Sequence, residues 1–99
     1  MKATTMLRKL LKEKKTLLLP GCYDALSARI IEKVGFEAAY LSGFALEGTL
    51  LGMPDVNLTT MTEISRIASR ITDAIKIPLI ADGETGFGRP LQTRRVVRE

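Results

Sequence analysis

The chain has 99 residues, 45% of them hydrophobic and 26% charged, with a formal net charge of +4, which is ordinary for a soluble globular protein. Histidine is absent and Cys22 is the single cysteine, which excludes histidine-based proton transfer, zinc ligation by histidine and an internal disulfide. No apolar run approaches the roughly 20 residues of a membrane-spanning helix, and the lone cysteine is typical of a reducing, cytoplasmic compartment.

The first predicted element is a basic amphipathic helix at about residues 4–15. Its apolar residues recur at helical spacing, and six lysines and arginines in residues 1–15 oppose one acid, Glu13. Such a helix can bind nucleic acid or an anionic membrane. Surfaces that bind single-stranded nucleic acid usually have aromatic residues among their cations. No aromatic residue lies among these. We therefore expect the helix to pack its apolar stripe on the domain, with no nucleic-acid or membrane partner; a nucleic-acid module is an alternative that rests only on this helix.

From residue 16 onwards, short apolar runs alternate with helical patterns. The runs predict buried strands at 17–19, 38–41 and 77–81. Helical spacing predicts helices over residues 23–34 and 60–75, and a further helix beginning near Pro90. Asp24 suits the first turn of one helix, Gly35 its end, and Thr60 with Glu63 a capping box at the start of the next. Residues 44–59 are predicted to be irregular.

This alternation predicts the α/β class, with a parallel sheet built from right-handed crossovers. A parallel sheet needs both of its faces covered, and three strands with their helices are too few to achieve this. The last helical pattern also reaches Glu99 without a stop signal. A (β/α)8 barrel needs about 250 residues. We expect residues 1–99 to form the N-terminal part of a (β/α)8 TIM-type barrel, with about three βα units after the N-terminal helix.

Two carboxylates follow the third predicted strand. Asp82 and Glu84 are two residues apart, so they point to the same side if the extended geometry persists through Gly83. They lie at the carboxyl end of a strand, where α/β folds place their chemistry. Paired oxygen ligands beside glycines indicate a Mg²⁺ site completed by water and substrate. The alternative is a polar turn with Glu84 in solvent.

Three motifs in this order resemble the isocitrate lyase and phosphoenolpyruvate mutase superfamily: YLSG at 40–43, LGMPD at 51–55 and DGETGFG at 82–88. The segment PGCYDALSA at 20–28 adds to the match. The resemblance is strongest to the branch with 2-methylisocitrate lyase, 2,3-dimethylmalate lyase and phosphonate-processing mutases. It implies a Mg²⁺-dependent enzyme, with Mn²⁺ as an alternative ion, acting on a small carboxylate or phosphonate substrate.

The resemblance also implies a substrate-binding segment. Ser42, Gly43 and Phe44 match the family segment whose hydroxyl and backbone amides hold a carboxylate or phosphonyl group, a task that closely set amides perform without a lysine. Tyr40 matches a family tyrosine implied to contact substrate or metal-bound water. We therefore take Tyr40 as a catalytic residue.

The metal ligands are likewise implied by the match. Asp82 matches the direct Mg²⁺ ligand. Asp55 matches an acidic residue near the metal, and we take it as a catalytic residue that also reaches the ion through water; the alternative is a turn residue after Pro54. Glu84 occupies a position where the family usually has aspartate, and its longer side chain is expected to act through water.

The implied reaction is retro-aldol cleavage of a small 2-hydroxy dicarboxylate or tricarboxylate, of the 2-methylisocitrate lyase type, giving an oxoacid and a carboxylic acid. Phosphonopyruvate or carboxyphosphonate mutase chemistry is one alternative, and a non-catalytic truncated half-barrel is another. The family's mobile catalytic loop, with its cysteine, is expected beyond residue 99, so this chain alone is expected to be inactive. Cys22 is interpreted as a buried structural thiol. The resemblance also implies a homo-oligomer, a tetramer, at full length.

Overall fold

The computed structural model describes residues 2–54 and 58–83, together with Phe87, Leu91 and Arg94. The helices are α1 at Ala3–Glu13, α2 at Ala25–Val34, α3 at Gly43–Leu51 and α4 at Met61–Ala74. The strands are β1 at Gly21–Cys22, β2 at Ala39–Leu41 and β3 at Leu79–Ala81. They form one sheet in the order β1-β2-β3, and both pairings are parallel. The predicted α/β alternation is confirmed.

Helices α2 and α4 both begin at reciprocal caps. The Asp24 carboxylate accepts from the Ser27 amide at 2.7 Å, and the Ser27 hydroxyl accepts from the Asp24 amide at 3.2 Å. Thr60 and Glu63 form the equivalent pair, at 3.2 and 3.0 Å. Gly35 ends α2 in the left-handed region, with φ of 111°. The capping box predicted for α4 is therefore confirmed, whereas Asp24 is the N-cap of α2 and not a residue of its first turn.

The first strand lies later in the chain than predicted. Residues 17–19 are not in a strand, and Leu18 is 69% exposed. The ladder to β2 begins instead where the Pro20 carbonyl accepts from the Tyr40 amide at 2.9 Å, and Gly21 pairs with Tyr40. Proline cannot donate to a ladder but its carbonyl can accept, so Pro20 stands at the start of the strand. Pro20 therefore introduces the strand, and Gly21 is its first residue.

Helix α3 occupies much of the segment that was predicted to be irregular. Its N-cap is Ser42, whose hydroxyl accepts from the Ala45 amide at 3.3 Å, and its C-cap is Gly52, with φ of 62°. Phe44 is 69% exposed whereas Glu47 is fully buried. Because apolar and polar residues are not sorted onto opposite faces, hydrophobic periodicity carries no signal for this helix.

The core lies between the sheet and helices α2 and α4. Helix α2 packs against α4 and against β1 and β2. The buried core cluster consists of Cys22, Ala28, Ile31, Ala39, Leu41, Leu46, Ile64, Ile71 and Ile75. One face of the short strands is therefore covered by helices, as in a barrel wall.

Helix α1 decorates this unit and has no buried residue. Its half-buried Met6 and Leu10 line a cavity together with Phe36 and Ile77. An exposed ion pair of 2.6 Å joins Lys14, just after the helix, to Glu37. In the part of the chain that the structure describes, no helix is long and apolar enough to cross a membrane. The helix predicted near Pro90 lies outside the described residues except for Leu91 and Arg94, which are helical.

Candidate functional site

The carboxyl ends of β2 and β3 lie side by side. Tyr40 pairs with Ile80 and Leu41 with Ala81, and the Asp82 amide donates to the Leu41 carbonyl at 3.1 Å. Ser42 and Asp82 are therefore the first residues beyond two neighbouring strand ends. This is the edge at which parallel α/β folds place ligands, because the strands all finish there.

Strand alternation indicates which face of the sheet carries Tyr40. Ala39, Leu41 and Leu79 belong to or pack against the helix-covered core, whereas Tyr40 is half-buried and outside that cluster. Tyr40 and its partner Ile80 consequently lie on the opposite face. In a closed barrel that face is the interior. Ser42 follows Tyr40 by two residues, as Asp82 follows Ile80, so continued alternation carries both towards the interior side.

The segment Ser42, Gly43 and Phe44 is the beginning of helix α3. Ser42 is its N-cap, and Gly43 and Phe44 are its first two helical residues. The first amides of a helix have no partner within the helix, and they lie at the positive end of its dipole. A carboxylate, phosphonate or phosphate suits such a position. Residues 42–44 thus begin a helix that the sequence pattern did not reveal, and a helix N-terminus is a position that suits an anion.

Asp82 is the one predicted metal ligand among the described residues, and it suits an ion that takes most of its ligands from water and substrate. Asp82 is half-buried at the strand end and supplies a hard carboxylate, and Mg²⁺ in proteins is commonly held by one or two carboxylates with waters and substrate oxygens. Among the described residues, no group of three or more His, Cys, Asp or Glu side chains could hold a metal ion. Asp55 and Glu84, the other predicted ligands, lie outside the described residues.

Cys22 is the buried thiol that the sequence indicated. It is fully buried in the core cluster. Burial raises the pKa of the Cys22 thiol, and the nearby Asp24 carboxylate raises it further. Since the thiolate is the reactive form, this cysteine is a packing residue and not a nucleophile.

Comparison with known proteins places the chain in a family. The family model of phosphoenolpyruvate phosphomutase matches residues 7–99. The chain belongs to the phosphoenolpyruvate phosphomutase family. The predicted resemblance to the isocitrate lyase and phosphoenolpyruvate mutase superfamily is therefore confirmed, and with it the N-terminal part of a TIM-type barrel.

Named relatives of this family member include enzymes with different substrates. It is 42% identical over 99 residues to 2,3-dimethylmalate lyase of Eubacterium barkeri, across 100% of this chain and 34% of that protein. It is 42% identical over 94 residues to 2-methylisocitrate lyase of Aeropyrum pernix, across 95% of this chain and 30% of that protein. The chain thus spans about a third of the length of these curated relatives.

A solved structure of phosphonopyruvate hydrolase, in complex with oxalate and Mg²⁺, has a TM-score of 0.88 to this phosphomutase-family chain. The sequence identity is 32%, and the match covers 98% of this chain and 34% of that one. The carboxylate oxalate and the metal are properties of that complex.

Sequence reasoning missed one buried acid, Glu47. Its carboxylate is fully buried and accepts from the Leu58 amide at 2.8 Å. The available signal was a lone charge inside the otherwise apolar and small run FALEGTLL, directly after the YLSG motif. A charge in such a run is either exposed or held by specific donors, and the structure shows the second case.

Phe87, in the glycine-rich motif after β3, has a left-handed backbone, with φ of 59°. It is half-buried and packs against the core cluster. A bulky residue adopts this conformation only when its surroundings hold it there, and such positions cluster at functional sites. The strained position coincides with the motif that carries Asp82.

Proposed function

We propose that this chain supplies the N-terminal part of the active site of a Mg²⁺-dependent carbon–carbon lyase. The substrate is a small 2-hydroxy dicarboxylate or tricarboxylate, and the reaction is of the 2-methylisocitrate lyase type. The observation that carries the proposal is the adjacency of Asp82 and the N-terminus of helix α3, at neighbouring ends of β3 and β2. A carboxylate for a cation thereby lies beside amides for an anion. An α-oxyacid coordinated to a metal presents both charges.

The metal would be held chiefly by Asp82, with Asp55 and Glu84 acting through water. Mg²⁺, or Mn²⁺ in its place, supplies Lewis-acid stabilisation of negative charge when it is bound. Asp82 suits the direct role because its backbone is hydrogen-bonded into the sheet ladder. A rigid support keeps a ligand within the narrow geometric tolerance that metal sites require.

The substrate carboxylate would be held by the amides at the start of α3. The Ser42 hydroxyl caps the helix by accepting from Ala45, and the amides of Gly43 and Phe44 lie at the helix N-terminus. Tyr40 lies two residues before Ser42, on the interior face of the strand, and would contact substrate or metal-bound water. These contacts orient the substrate, which accounts for a large part of the rate enhancement available to an enzyme.

The chemistry is a retro-aldol cleavage. A base removes the proton of the 2-hydroxyl group, the hydroxyl-bearing carbon becomes the carbonyl carbon of an oxoacid, and the bond to its neighbour breaks. The electron pair remains on that neighbouring carbon next to its carboxylate, and an acid protonates it to give the second product. Tyr40 and Asp55 are the catalytic residues that we propose for this chain. The acid that protonates the carbanion is expected outside residues 1–99.

Phosphomutase-type chemistry on phosphonopyruvate or a carboxyphosphonate is the second candidate. The description of the matching family model favours it, and a phosphonyl group suits the same helix N-terminus. The two candidates differ in the bond that is broken: carbon–carbon in the lyase and carbon–phosphorus in the mutase. A product analysis therefore separates them.

The test uses the natural gene product with Mg²⁺ and, in turn, 2-methylisocitrate, 2,3-dimethylmalate and phosphonopyruvate. Lyase activity is followed as pyruvate release, and transfer of phosphorus as a change in the ³¹P NMR spectrum. We expect pyruvate from a 2-hydroxy acid, loss of the signal with EDTA, and loss in Asp82→Ala. Asp73→Ala is the matched control, because Asp73 is an exposed acid on α4. Activity that survives EDTA and Asp82→Ala would overturn the metal assignment. Absence of every reaction would favour the non-catalytic half-barrel.

Three further properties belong to the same proposal. A homotetramer is expected at full length, and sedimentation analysis of the natural gene product tests it. A small carboxylate or phosphonate is the expected partner, which titration with oxalate and Mg²⁺ tests. A reducing, cytoplasmic location is supported by the free thiol of Cys22, and fractionation of the source cells tests it.

A further inference from the structure

We infer that Glu47 is a positioning residue for the segment 53–58, which carries Asp55. The inference rests on the proposed function, because Asp55 matters only if a metal and substrate are bound nearby. Glu47 lies on α3, whose N-terminus is the proposed anion site, so the helix would serve two parts of the active site at once.

Glu47 hydrogen-bonds to both ends of this segment. Its backbone carbonyl accepts from the Met53 amide at 3.3 Å. Its carboxylate Oε1 accepts from the Leu58 amide at 2.8 Å and, at 3.4 Å each, from the amide and the hydroxyl of Thr59. One residue therefore contacts the backbone on both sides of residues 54–57.

The burial of Glu47 argues against a role in helix stability alone. Its side chain is fully buried, whereas the neighbouring Phe44, Leu50 and Leu51 on the same helix are 69%, 43% and 42% exposed. Burying a carboxylate is costly unless donors compensate it, and an apolar residue would be the more stable occupant of a core position. The compensating donors include the amides of Leu58 and Thr59 and the Thr59 hydroxyl. The carboxylate is thus placed where it holds the backbone of Leu58 and Thr59 against α3.

The chain geometry transmits this control to Asp55. Asp55 is two residues after Met53 and three before Leu58, so neither anchor can shift far without moving the backbone that carries it. Thr59, which also donates to the Glu47 carboxylate, is only 4% exposed. Outer partners that orient metal-site groups typically contribute about 10- to 100-fold in metal affinity or activity. Glu47 is expected to act at this level, through Asp55.

The test measures Mn²⁺ binding by electron paramagnetic resonance, which reports free Mn²⁺, in the natural gene product with oxalate present. Glu47→Gln keeps the size of the side chain and one acceptor oxygen but places N–H donors where the second carboxylate oxygen was. Glu63→Gln is the matched control: Glu63 also accepts from a backbone amide, that of Thr60 at 3.0 Å, but caps α4 on the exposed side. Asp82→Asn serves as the reference for loss of the direct ligand.

We expect Glu47→Gln to weaken Mn²⁺ binding by about 10-fold or more, and Glu63→Gln to leave it within about twofold. The melting temperature is measured for each variant, so that weakened binding is scored only on folded protein. Amide exchange at Leu58 and Thr59 should accelerate in Glu47→Gln and not in Glu63→Gln. A purely structural role for Glu47 would change stability without changing the Mn²⁺ affinity of the folded protein.

The outcomes separate the inference from the proposed function. If Asp82→Asn abolishes Mn²⁺ binding while Glu47→Gln binds like the wild type, the inference is overturned and the function stands. If the wild type does not bind Mn²⁺, both are overturned. Should Glu47→Gln fail to fold, Glu47→Asp decides, because it keeps the charge but shortens the side chain and withdraws the carboxylate from the Leu58 amide. Unchanged Mn²⁺ affinity in folded Glu47→Asp would then overturn the inference.

Discussion

The Asp82 amide is hydrogen-bonded to the Leu41 carbonyl at 3.1 Å, one residue beyond the last residue of β3. The ladder between β2 and β3 therefore extends into the acidic motif. The proposed metal ligand is fixed by the sheet, and not by the conformation of the glycine-rich segment that follows it. Ser42, which begins the neighbouring helix, immediately follows Leu41 in the chain.

The first prediction concerns metal-dependent stability. Mg²⁺ should raise the melting temperature of the wild type, because a ligand that binds only the folded state stabilises it, by about 2.7 kcal/mol at 100 times its Kd. Asp82→Asn should melt at the wild-type temperature without metal, since its amide still pairs with Leu41, and should lose the Mg²⁺ response. Differential scanning calorimetry with and without Mg²⁺ makes the measurement. An undiminished Mg²⁺ response in Asp82→Asn would contradict the assignment.

The second prediction concerns pH. The Glu32 carboxylate accepts from the amides of Lys76 at 2.6 Å and Ile77 at 3.1 Å. The bond from the Lys76 amide is the main reason why the pKa of Glu32 lies below its ordinary value of 4.5, with the Ile77 amide, Arg29 and the Lys76 charge acting in the same direction against desolvation. The stabilisation is therefore fully present above the unfolded-state pKa.

That contribution is lost as the pH falls from about 4.5 through the lower folded-state pKa. In Glu32→Gln the decline of unfolding free energy over this range should be shallower than in the wild type, because one titrating acceptor has been removed. Urea unfolding at a series of pH values measures the slope. Glu13→Gln, which removes an exposed acid of α1 and leaves the Glu32 hydrogen bonds in place, is the matched control. Parallel profiles for Glu32→Gln and the wild type would show that these hydrogen bonds do not depend on the charge.

The third prediction compares two helical isoleucines. Ile71 on α4 is fully buried in the core cluster, whereas Ile30 on α2 is 54% exposed. Ile71→Ala should lower the unfolding free energy by about 2–5 kcal/mol, because it removes buried methyl groups and leaves a cavity. Ile30→Ala in this chain should change it by less than about 0.5 kcal/mol. Chemical denaturation measures both, and equal effects would contradict the described core.

The fourth prediction concerns the thiol. Since Cys22 is fully buried and its pKa is raised by burial, a disulfide reagent should react with it only after unfolding. The labelling rate at neutral pH should be far below that of a free thiol and should rise with denaturant in step with the unfolding transition. Rapid labelling of folded protein would contradict the position of Cys22 in the core.

Local signals in the sequence predicted the capped helices well. Asp24, Thr60 and Glu63 encode caps by side-chain to backbone hydrogen bonds a few residues apart, so no distant contact is needed to recognise them. Helix α3 was not predicted, because its buried Glu47 is stabilised by hydrogen bonds from Leu58 and Thr59, about a dozen residues away in the chain. The position of the first strand was predicted wrongly for a similar reason.

Strand pairing is also a long-range property. The triplet 17–19 has the composition of a strand, yet the register that pairs Gly21 with Tyr40 places β1 later. The site motifs were predictable as sequence, and Asp82 and Ser42 indeed follow adjacent strand ends. What the residue pattern could not supply was the helix that places residues 42–44 at a helix N-terminus.

The capping role of Ser42 has a consequence for how this scaffold can diversify. Its hydroxyl is committed to the Ala45 amide at 3.3 Å, so on the proposed function the anchor for an acid group is made of peptide N–H groups. Every amino acid except proline supplies that group. The side chain at 44, which is 69% exposed in this chain, can then be exchanged to suit a new substrate while the anchor itself persists. Such an arrangement would allow enzymes with a common ancestor to bind the acid group of their substrates in the same way and to differ in the bond that they break.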